Sequence, residues 1–95
     1  MEFEWDPVKA DANFAKHGIR FAEAQTVFDD PLFIDFYDPD HSDDEARYLI
    51  VGRSEAGRLL IVSYTERGGA HCLISARPAT RHEQRDYEEG TDGRT

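Results

Sequence analysis

The sequence has very little of what disulfide-stabilised or membrane-spanning proteins require. It contains one cysteine, Cys72, in 95 residues, so an internal disulfide cannot form. No run of 18 apolar residues is present, and we expect no membrane-spanning helix. The first residues are acidic and lack a basic segment followed by an apolar one, so we expect no signal peptide. These absences predict a cytoplasmic protein in which Cys72 is a buried, unreactive thiol.

Motifs for bound metals, nucleotide phosphates and serine nucleophiles are also missing. No Cys/His spacing is typical of a zinc site, and neither a glycine-rich phosphate loop nor a G-x-S-x-G motif occurs. Segment 38–45 is dense in carboxylates but lacks the glycine and final glutamate of a calcium loop. A solvated acidic loop is the favoured interpretation over a structural metal site. We therefore expect neither a metal nor another cofactor.

The net charge of −9 conceals an uneven distribution. Residues 1–46 carry 13 acidic and 3 basic side chains, net −10, whereas residues 47–85 carry 7 arginines and 3 glutamates, net +4. A basic half in an acidic protein is typical of a localised anion-binding face. The alternative is that these arginines are solvated charges or form local ion pairs. Every basic residue after Lys16 is arginine, whose planar fork suits phosphate.

Capping signals and periodicity predict three helices. Asp6-Pro7 is a helix start and Gly18 a left-handed helix end, which indicates a first helix over residues 8–17. Apolar residues at helical spacing predict a second helix from Phe21 to Phe28. Thr80 and Glu83 have the spacing of a capping box and predict a last helix over residues 81–89.

Alternating and β-branched residues predict five strands, at residues 3–5, 33–38, 47–54, 59–66 and 71–77. Short glycine-bearing turns join the last three strands, which is typical of an antiparallel meander. We therefore predict an α+β fold with an antiparallel sheet, two N-terminal helices and one C-terminal helix packed on one sheet face. The predicted order is β-α-α-β-β-β-β-α. Residues 1–90 form a single domain and residues 91–95 a flexible tail.

Two groups of polar residues could carry chemistry. The first is a stripe on the first helix, which is either its solvated face or a cationic surface for RNA phosphate with His17 as a titratable group. Its members are Lys9, Asn13, Lys16 and His17. In the second, Arg77 and Arg81 lie where the last helix begins, so both could meet one anion at the helix N-terminus. Surface pairs of Arg81 with Glu88, or of Arg85 with Glu89, are the alternative.

Motifs along nearly the whole chain, from Phe3 to about Glu89, resemble the BrnT family of ribonuclease toxins. The N-terminal matches are Trp5-Asp6-Pro7, Lys9, Asn13, Lys16-His17-Gly18, Phe21, Ala24, Val27-Phe28 and Asp30-Pro31. The later matches are Arg47, Gly52, Gly57-Arg58, Thr65-Glu66-Arg67, Ile74-Ser75-Ala76-Arg77, Ala79-Thr80 and Glu83. The chain departs from the family at Pro78, His82 and Gln84, where more basic residues are expected.

The resemblance implies a RelE-like fold and the toxin of a type II toxin–antitoxin system. It also implies a neighbouring BrnA-like antitoxin with a ribbon-helix-helix DNA-binding part, and a hetero-oligomer with that antitoxin. We expect a metal-independent endoribonuclease in which the 2′-hydroxyl of RNA attacks the adjacent phosphate.

The expected site residues are basic side chains and one histidine. For catalysis these are Arg67, Arg77 and Arg81, with His17 as a proton shuttle. For substrate binding they are Lys9, Lys16, Arg47, Arg53 and Arg85. No residue stands out as the general base. The alternative is a non-catalytic module of the same fold that binds RNA or an antitoxin, because phosphate-binding arginines serve both functions.

Overall fold

A computed structural model describes residues 1–92 as one five-stranded sheet with three α-helices. The strands are β1 (Glu2–Glu4), β2 (Ile34–Tyr37), β3 (Tyr48–Arg53), β4 (Leu59–Arg67) and β5 (Ala70–Pro78). The helices are α1 (Pro7–His17), α2 (Phe21–Ala24) and α3 (Arg81–Asp92), with short 3₁₀ helices at Gln25–Asp29 and Pro39–His41. No helix within the described residues is long and apolar enough to cross a membrane.

The sheet is mixed, and the prediction of a wholly antiparallel sheet is wrong. Strands follow the order β1-β5-β4-β3-β2, and β2 to β5 pair antiparallel. β1 instead lies parallel to β5, with Glu2 opposite Ala70 and Glu4 opposite Cys72. Its alternating residues indicate a strand, but strand direction depends on a partner almost seventy residues away, which no local pattern specifies.

The predicted caps of α1 are confirmed. The Asp6 carboxylate accepts a hydrogen bond from the Val8 N–H at 2.9 Å, and Pro7 occupies the first turn. At the other end Gly18 is left-handed, with φ of 71°, and its N–H donates to the Phe14 carbonyl. These caps fix the length of the helix that carries Lys9.

The second helix is shorter than predicted. It is α-helical only over Phe21–Ala24, and the remainder, to Asp29, is a 3₁₀ helix. The Thr26 hydroxyl donates to the Glu23 carbonyl at 2.6 Å, three residues back, and accepts from the Glu55 N–H. These hydrogen bonds accompany the tighter turn.

The helices cover both faces of the sheet, so the prediction that they share one face is wrong for α3. Phe21, on α2, packs into the larger core cluster with Ile50 and Val62. Tyr87, on α3, packs against Val51 and Ile61 on the opposite face. The reason is visible in β3 and β4, where consecutive apolar residues such as Ile50-Val51 need burial on both faces.

The C-terminal helix begins with the predicted capping box. The Thr80 N–H donates to the Glu83 carboxylate at 2.8 Å, and the Glu83 N–H donates to the Thr80 hydroxyl at 3.2 Å. The helix continues to Asp92, past the predicted end at residue 89 and into the predicted tail. The rest of that tail, residues 93–95, lies outside the described residues.

Candidate functional site

Two of the three arginines expected to act in catalysis, Arg67 and Arg77, lie at opposite ends of the β4–β5 hairpin. Arg67 is paired with Ala70 beside the hairpin turn, and Arg77 is paired with Ile61 near the start of β4. Seven residues of strand separate Ala70 from Arg77, a span of about 23 Å at roughly 3.3 Å per residue. The two guanidinium groups therefore do not contact the same phosphate.

Arg77 forms a bidentate ion pair with the first turn of α3. Its two terminal nitrogens donate to the two Glu83 oxygens, each at 2.7 Å. The hydrogen bond from Arg77 is the main cause that lowers the pKa of Glu83 to about 2. Because Glu83 also closes the capping box, Arg77 ties the end of β5 to the start of α3. The sequence suggested that Arg77 and Arg81 could bind one external anion. In the structure Arg77 instead binds the Glu83 carboxylate of its own chain.

Arg81 and Arg85 are exposed on α3 and line a shallow groove with Gln84, Glu88 and Glu89. Within the part of the chain that the structure describes, neither arginine forms an ion pair. The pairs of Arg81 with Glu88 and of Arg85 with Glu89, the alternative considered from sequence, do not occur among the ion pairs of residues 1–92. Both cations remain available to an anionic partner.

A cleft of about 180 Å³ lies where the end of β1 and the first turn of α1 meet β4 and β5. It brings together Lys9 and Arg67, which are 58 positions apart in the sequence. The residues that line it are Glu4, Trp5, Asp6, Lys9, Thr65, Arg67, Cys72, Leu73 and Ile74. The cleft thus contains two of the predicted basic site residues together with aromatic, hydroxyl and carboxylate groups.

Glu45 is the carboxylate that Arg67 binds beside the cleft. Arg67 donates from Nε to Glu45 at 2.9 Å and from a terminal nitrogen to the other oxygen. The hydrogen bond from Arg67 lowers the pKa of Glu45, and the positive charges of Arg47 and Lys9 lower it further. In turn, Glu45 raises the pKa of Arg67. Three predicted cations, Lys9, Arg47 and Arg67, therefore share one electrostatic environment.

Glu45 is a candidate site residue that the sequence analysis missed. It ends the acidic segment interpreted as a solvated loop, and nothing nearby in the sequence indicates that Arg67 is its partner. One feature of the sequence could have pointed to Glu45: it lies two residues before Arg47, at the boundary between the acidic and basic halves.

The other predicted site residues lie away from the cleft. Lys16 and His17 are in the last turn of α1, and His17 is about 12 Å along the helix axis from Lys9 at roughly 1.5 Å per residue. Arg53, at the end of β3, places its guanidinium 5.8 Å from the centre of the Tyr87 ring. None of the three lines the cleft that contains Lys9 and Arg67.

Cys72 is buried, as predicted, and lies in the floor of this cleft. Its sulfur is 3.7 Å from the Glu4 carboxylate, which accepts a hydrogen bond from the thiol. The two residues are register partners on β5 and β1, so the short first strand places an acidic group inside the cleft.

Comparisons with known proteins bear on the family and the fold of the chain. A family model described as ribonuclease toxin, BrnT, of type II toxin–antitoxin systems matches residues 5–83. Among solved structures, the chain is similar to the Brucella abortus ribonuclease toxin BrnT, known from a crystal structure at 1.1 Å. That similarity covers 85% of this chain and 99% of the Brucella chain, with 26% identity and a TM-score of 0.63. No curated protein sequence matches the chain.

Proposed function

Since the chain belongs to the BrnT family of ribonuclease toxins of type II toxin–antitoxin systems, we propose that it is a cytoplasmic, metal-independent endoribonuclease with a RelE-like fold. The observation that carries the proposal is the bidentate contact of Arg67 with Glu45 beside the cleft that Arg67 and Lys9 line. A bidentate guanidinium and further cations can stabilise the charge that develops on a phosphodiester cleaved by an internal hydroxyl, and an ionised carboxylate can accept the hydroxyl proton.

In the proposed reaction the 2′-hydroxyl oxygen of one nucleotide bonds to its own 3′-phosphorus, and the bond from phosphorus to the next 5′-oxygen breaks. The products are a 2′,3′-cyclic phosphate and a 5′-hydroxyl. Arg67 and Lys9 face the cleft and stabilise the negative charge that grows on the phosphoryl oxygens. Arg47 adds to the positive field beside them.

Glu45 is the proposed general base that takes the proton of the 2′-hydroxyl. Its pKa lies below its ordinary value, because Arg67 donates a hydrogen bond to it, so the carboxylate is ionised at neutral pH. A phosphate has the charge and fork geometry of the carboxylate that Arg67 now holds. Phosphate binding to Arg67 would therefore release a Glu45 oxygen for the hydroxyl proton, and the leaving 5′-oxygen would take its proton from water.

The remaining cations are proposed to act outside the reaction step. Arg81 and Arg85, which have no ion pair within the described residues, would contact RNA phosphates along α3. Lys16 and Arg53 would add weaker phosphate contacts at the surface. Arg77 positions α3 through Glu83. His17 lies too far along α1 to reach the cleft and takes no part in proton transfer in this scheme.

The proposed partner is a BrnA-like antitoxin with a ribbon-helix-helix DNA-binding part, encoded beside the toxin gene. A nuclease that damages its own cell requires a tightly bound inhibitor, and covering the basic residues is the direct way to block RNA. Acidic or apolar antitoxin segments over Arg67 and Arg81 would provide the required charge complementarity. The two proteins would form a hetero-oligomer.

Incubation of the purified protein with RNA in excess chelator tests the reaction. Cleavage should persist, and the 5′ fragments should end in a cyclic phosphate. Loss of cleavage in chelator and its return with a divalent ion would refute metal independence. Absence of cleavage under all conditions, with RNA still bound, would favour the alternative of a non-catalytic binding module on the same fold.

A further inference from the structure

One acidic side chain in the cleft has no place in the proposed phosphate chemistry. Glu4 is exposed, lines the cleft with Lys9 and Arg67, and repels a phosphate bound there. Glu45 already serves as the carboxylate partner of Arg67. A second carboxylate at this position is better suited to a ligand group that donates hydrogen bonds.

Glu4 belongs to a row of three residues on one face of the sheet. Glu4 on β1 is the register partner of Cys72 on β5, and Cys72 is the register partner of Thr65 on β4. All three line the cleft. One Glu4 oxygen accepts the Cys72 thiol, which leaves the second lone pair of that oxygen and both lone pairs of the other oxygen for a ligand. The floor of the cleft therefore offers a carboxylate and a hydroxyl on either side of a small apolar thiol.

The Thr65 hydroxyl is the second observation that points to a ligand. Thr65 is 1% exposed, and its Oγ1 has no hydrogen-bond partner among the residues that the structure describes. Buried polar groups are nearly always bonded, and leaving one unbonded costs about 1–3 kcal/mol. Thr65 lines the cleft, and a rotation about its Cα–Cβ bond would present this buried hydroxyl to a bound molecule that supplies the missing partner.

We propose that Glu4 and Thr65 recognise guanine, in the nucleotide whose 2′-hydroxyl attacks; this assignment rests on the proposed RNA cleavage. A carboxylate only accepts hydrogen bonds, so it selects a base edge with donors. The Watson–Crick edge of guanine carries two adjacent donors, N1–H and the N2 amino group, which match the two oxygens of a carboxylate. The same edges of adenine, cytosine and uracil each carry one donor group.

Thr65 and Trp5 complete this recognition. The guanine O6 acceptor lies beside N1–H, so a hydroxyl next to the carboxylate can donate to it and gain the partner that it lacks. Trp5 borders the cleft and is 36% exposed, and unpaired bases in single-stranded RNA commonly stack on aromatic rings. The scissile phosphate of that nucleotide would then face Arg67 and Lys9.

Cleavage of short RNAs that differ only in the base 5′ to the scissile phosphate tests the proposal. The wild-type protein should cleave after guanine at least 10-fold faster than after adenine, cytosine or uracil, and replacing guanine with inosine, which lacks the N2 amino group, should slow cleavage. Glu4→Gln should remove the preference for guanine, and the rates for the other three bases should not fall, because the variant also removes the charge that repels phosphate. Glu2→Gln is the matched control, because Glu2 has the same charge on the same strand but does not line the cleft.

The fluorescence of Trp5, the single tryptophan, gives a measurement that does not depend on catalysis. In the wild type and in Glu2→Gln, guanosine 3′-phosphate should change this fluorescence at a lower concentration than adenosine 3′-phosphate does. In Glu4→Gln the two nucleotides should act at similar concentrations. RNA cleavage with equal rates after all four bases, or equal loss of all four rates in Glu4→Gln, would overturn guanine recognition while leaving the nuclease proposal intact. A protein that cleaves no RNA but keeps Glu4-dependent guanosine binding would refute only the nuclease proposal.

Discussion

Asn13 on α1 and Ala76 on β5 form a reciprocal pair of hydrogen bonds. The Asn13 amide nitrogen donates to the Ala76 carbonyl, and the Ala76 N–H donates to the Asn13 amide oxygen, each at 2.9 Å. β1 pairs with β5 from Ala70 to Cys72. Further along β5, at Ala76, the Asn13 side chain makes the hydrogen bonds that a neighbouring strand would otherwise make. This contact fixes α1, and with it Lys9, against the sheet.

Replacing Asn13 with alanine should destabilise the protein strongly. Asn13 is 7% exposed, and its amide nitrogen also donates to the Ile19 carbonyl at 2.9 Å. Asn13→Ala would leave these buried backbone groups unbonded, which should lower the free energy of unfolding by about 2–4 kcal/mol. Lys16→Ala, on the exposed surface of the same helix, should change it by less than about 0.5 kcal/mol. Urea unfolding measures both, and equal stabilities for the two variants would show that the Asn13 contact is unimportant.

The ion pair between Arg77 and Glu83 should make stability depend on pH in the acidic range. The folded state lowers the pKa of Glu83 from its usual 4.5 to about 2. The stabilisation that ionised Glu83 gives to the folded state is therefore fully present above about pH 4.5 and is lost as pH falls towards 2. At neutral pH, Glu83→Gln should cost about 1–2 kcal/mol of unfolding free energy. The difference from wild type should shrink between pH 4.5 and 2.

Glu55→Gln, on an exposed turn, is the control for that pH series. Its difference from wild type should stay constant over the same range. If the Glu83→Gln difference is also constant with pH, the pair with Arg77 does not hold α3 in solution.

The antitoxin proposal predicts opposite effects for two charge reversals. Arg81→Glu should weaken the complex with the antitoxin about 10-fold at low salt and less at moderate salt, because screening reduces the lost attraction. Reversal of Asp43 and Asp44 to lysine should leave affinity unchanged or increase it. Binding can be measured by calorimetry with the antitoxin from the neighbouring gene. A larger loss from the Asp43 and Asp44 reversal would show that the antitoxin docks on the acidic segment instead.

Local signals in the sequence predict much of this fold. The caps of α1 and the Thr80–Glu83 capping box depend on residues within a few positions of each other, and the structure confirms them. The parallel pairing of β1 and the position of α3 on the opposite face depend on distant partners. Those two features were predicted wrongly, because the periodicity of a sequence shows which residues are buried but not which strand or helix they pack against.

The candidate site shows the same division. The arginine-rich half and Lys9 were identified from charge and family resemblance, but their grouping was not. Asn13 fits a polar helical stripe by spacing, yet its side chain is buried against β5. The sequence pattern puts Arg67 and Arg77 each at the end of a strand, which allows them to lie at opposite ends of the hairpin, and the structure places them there. Pairs such as Glu45 with Arg67 arise only from tertiary structure.

RNA cleavage by Arg67→Ala, compared with Arg58→Ala, tests the proposed active site most directly. Both arginines are exposed and form an ion pair with a glutamate, Arg67 with Glu45 and Arg58 with Glu23, but only Arg67 lines the cleft. With chelator present, Arg67→Ala should cleave RNA about 100-fold more slowly than wild type or worse, with an unchanged melting temperature. Arg58→Ala should cleave at the wild-type rate when folded. Wild-type cleavage by Arg67→Ala, or an equal loss in both variants, would contradict an active site at this cleft.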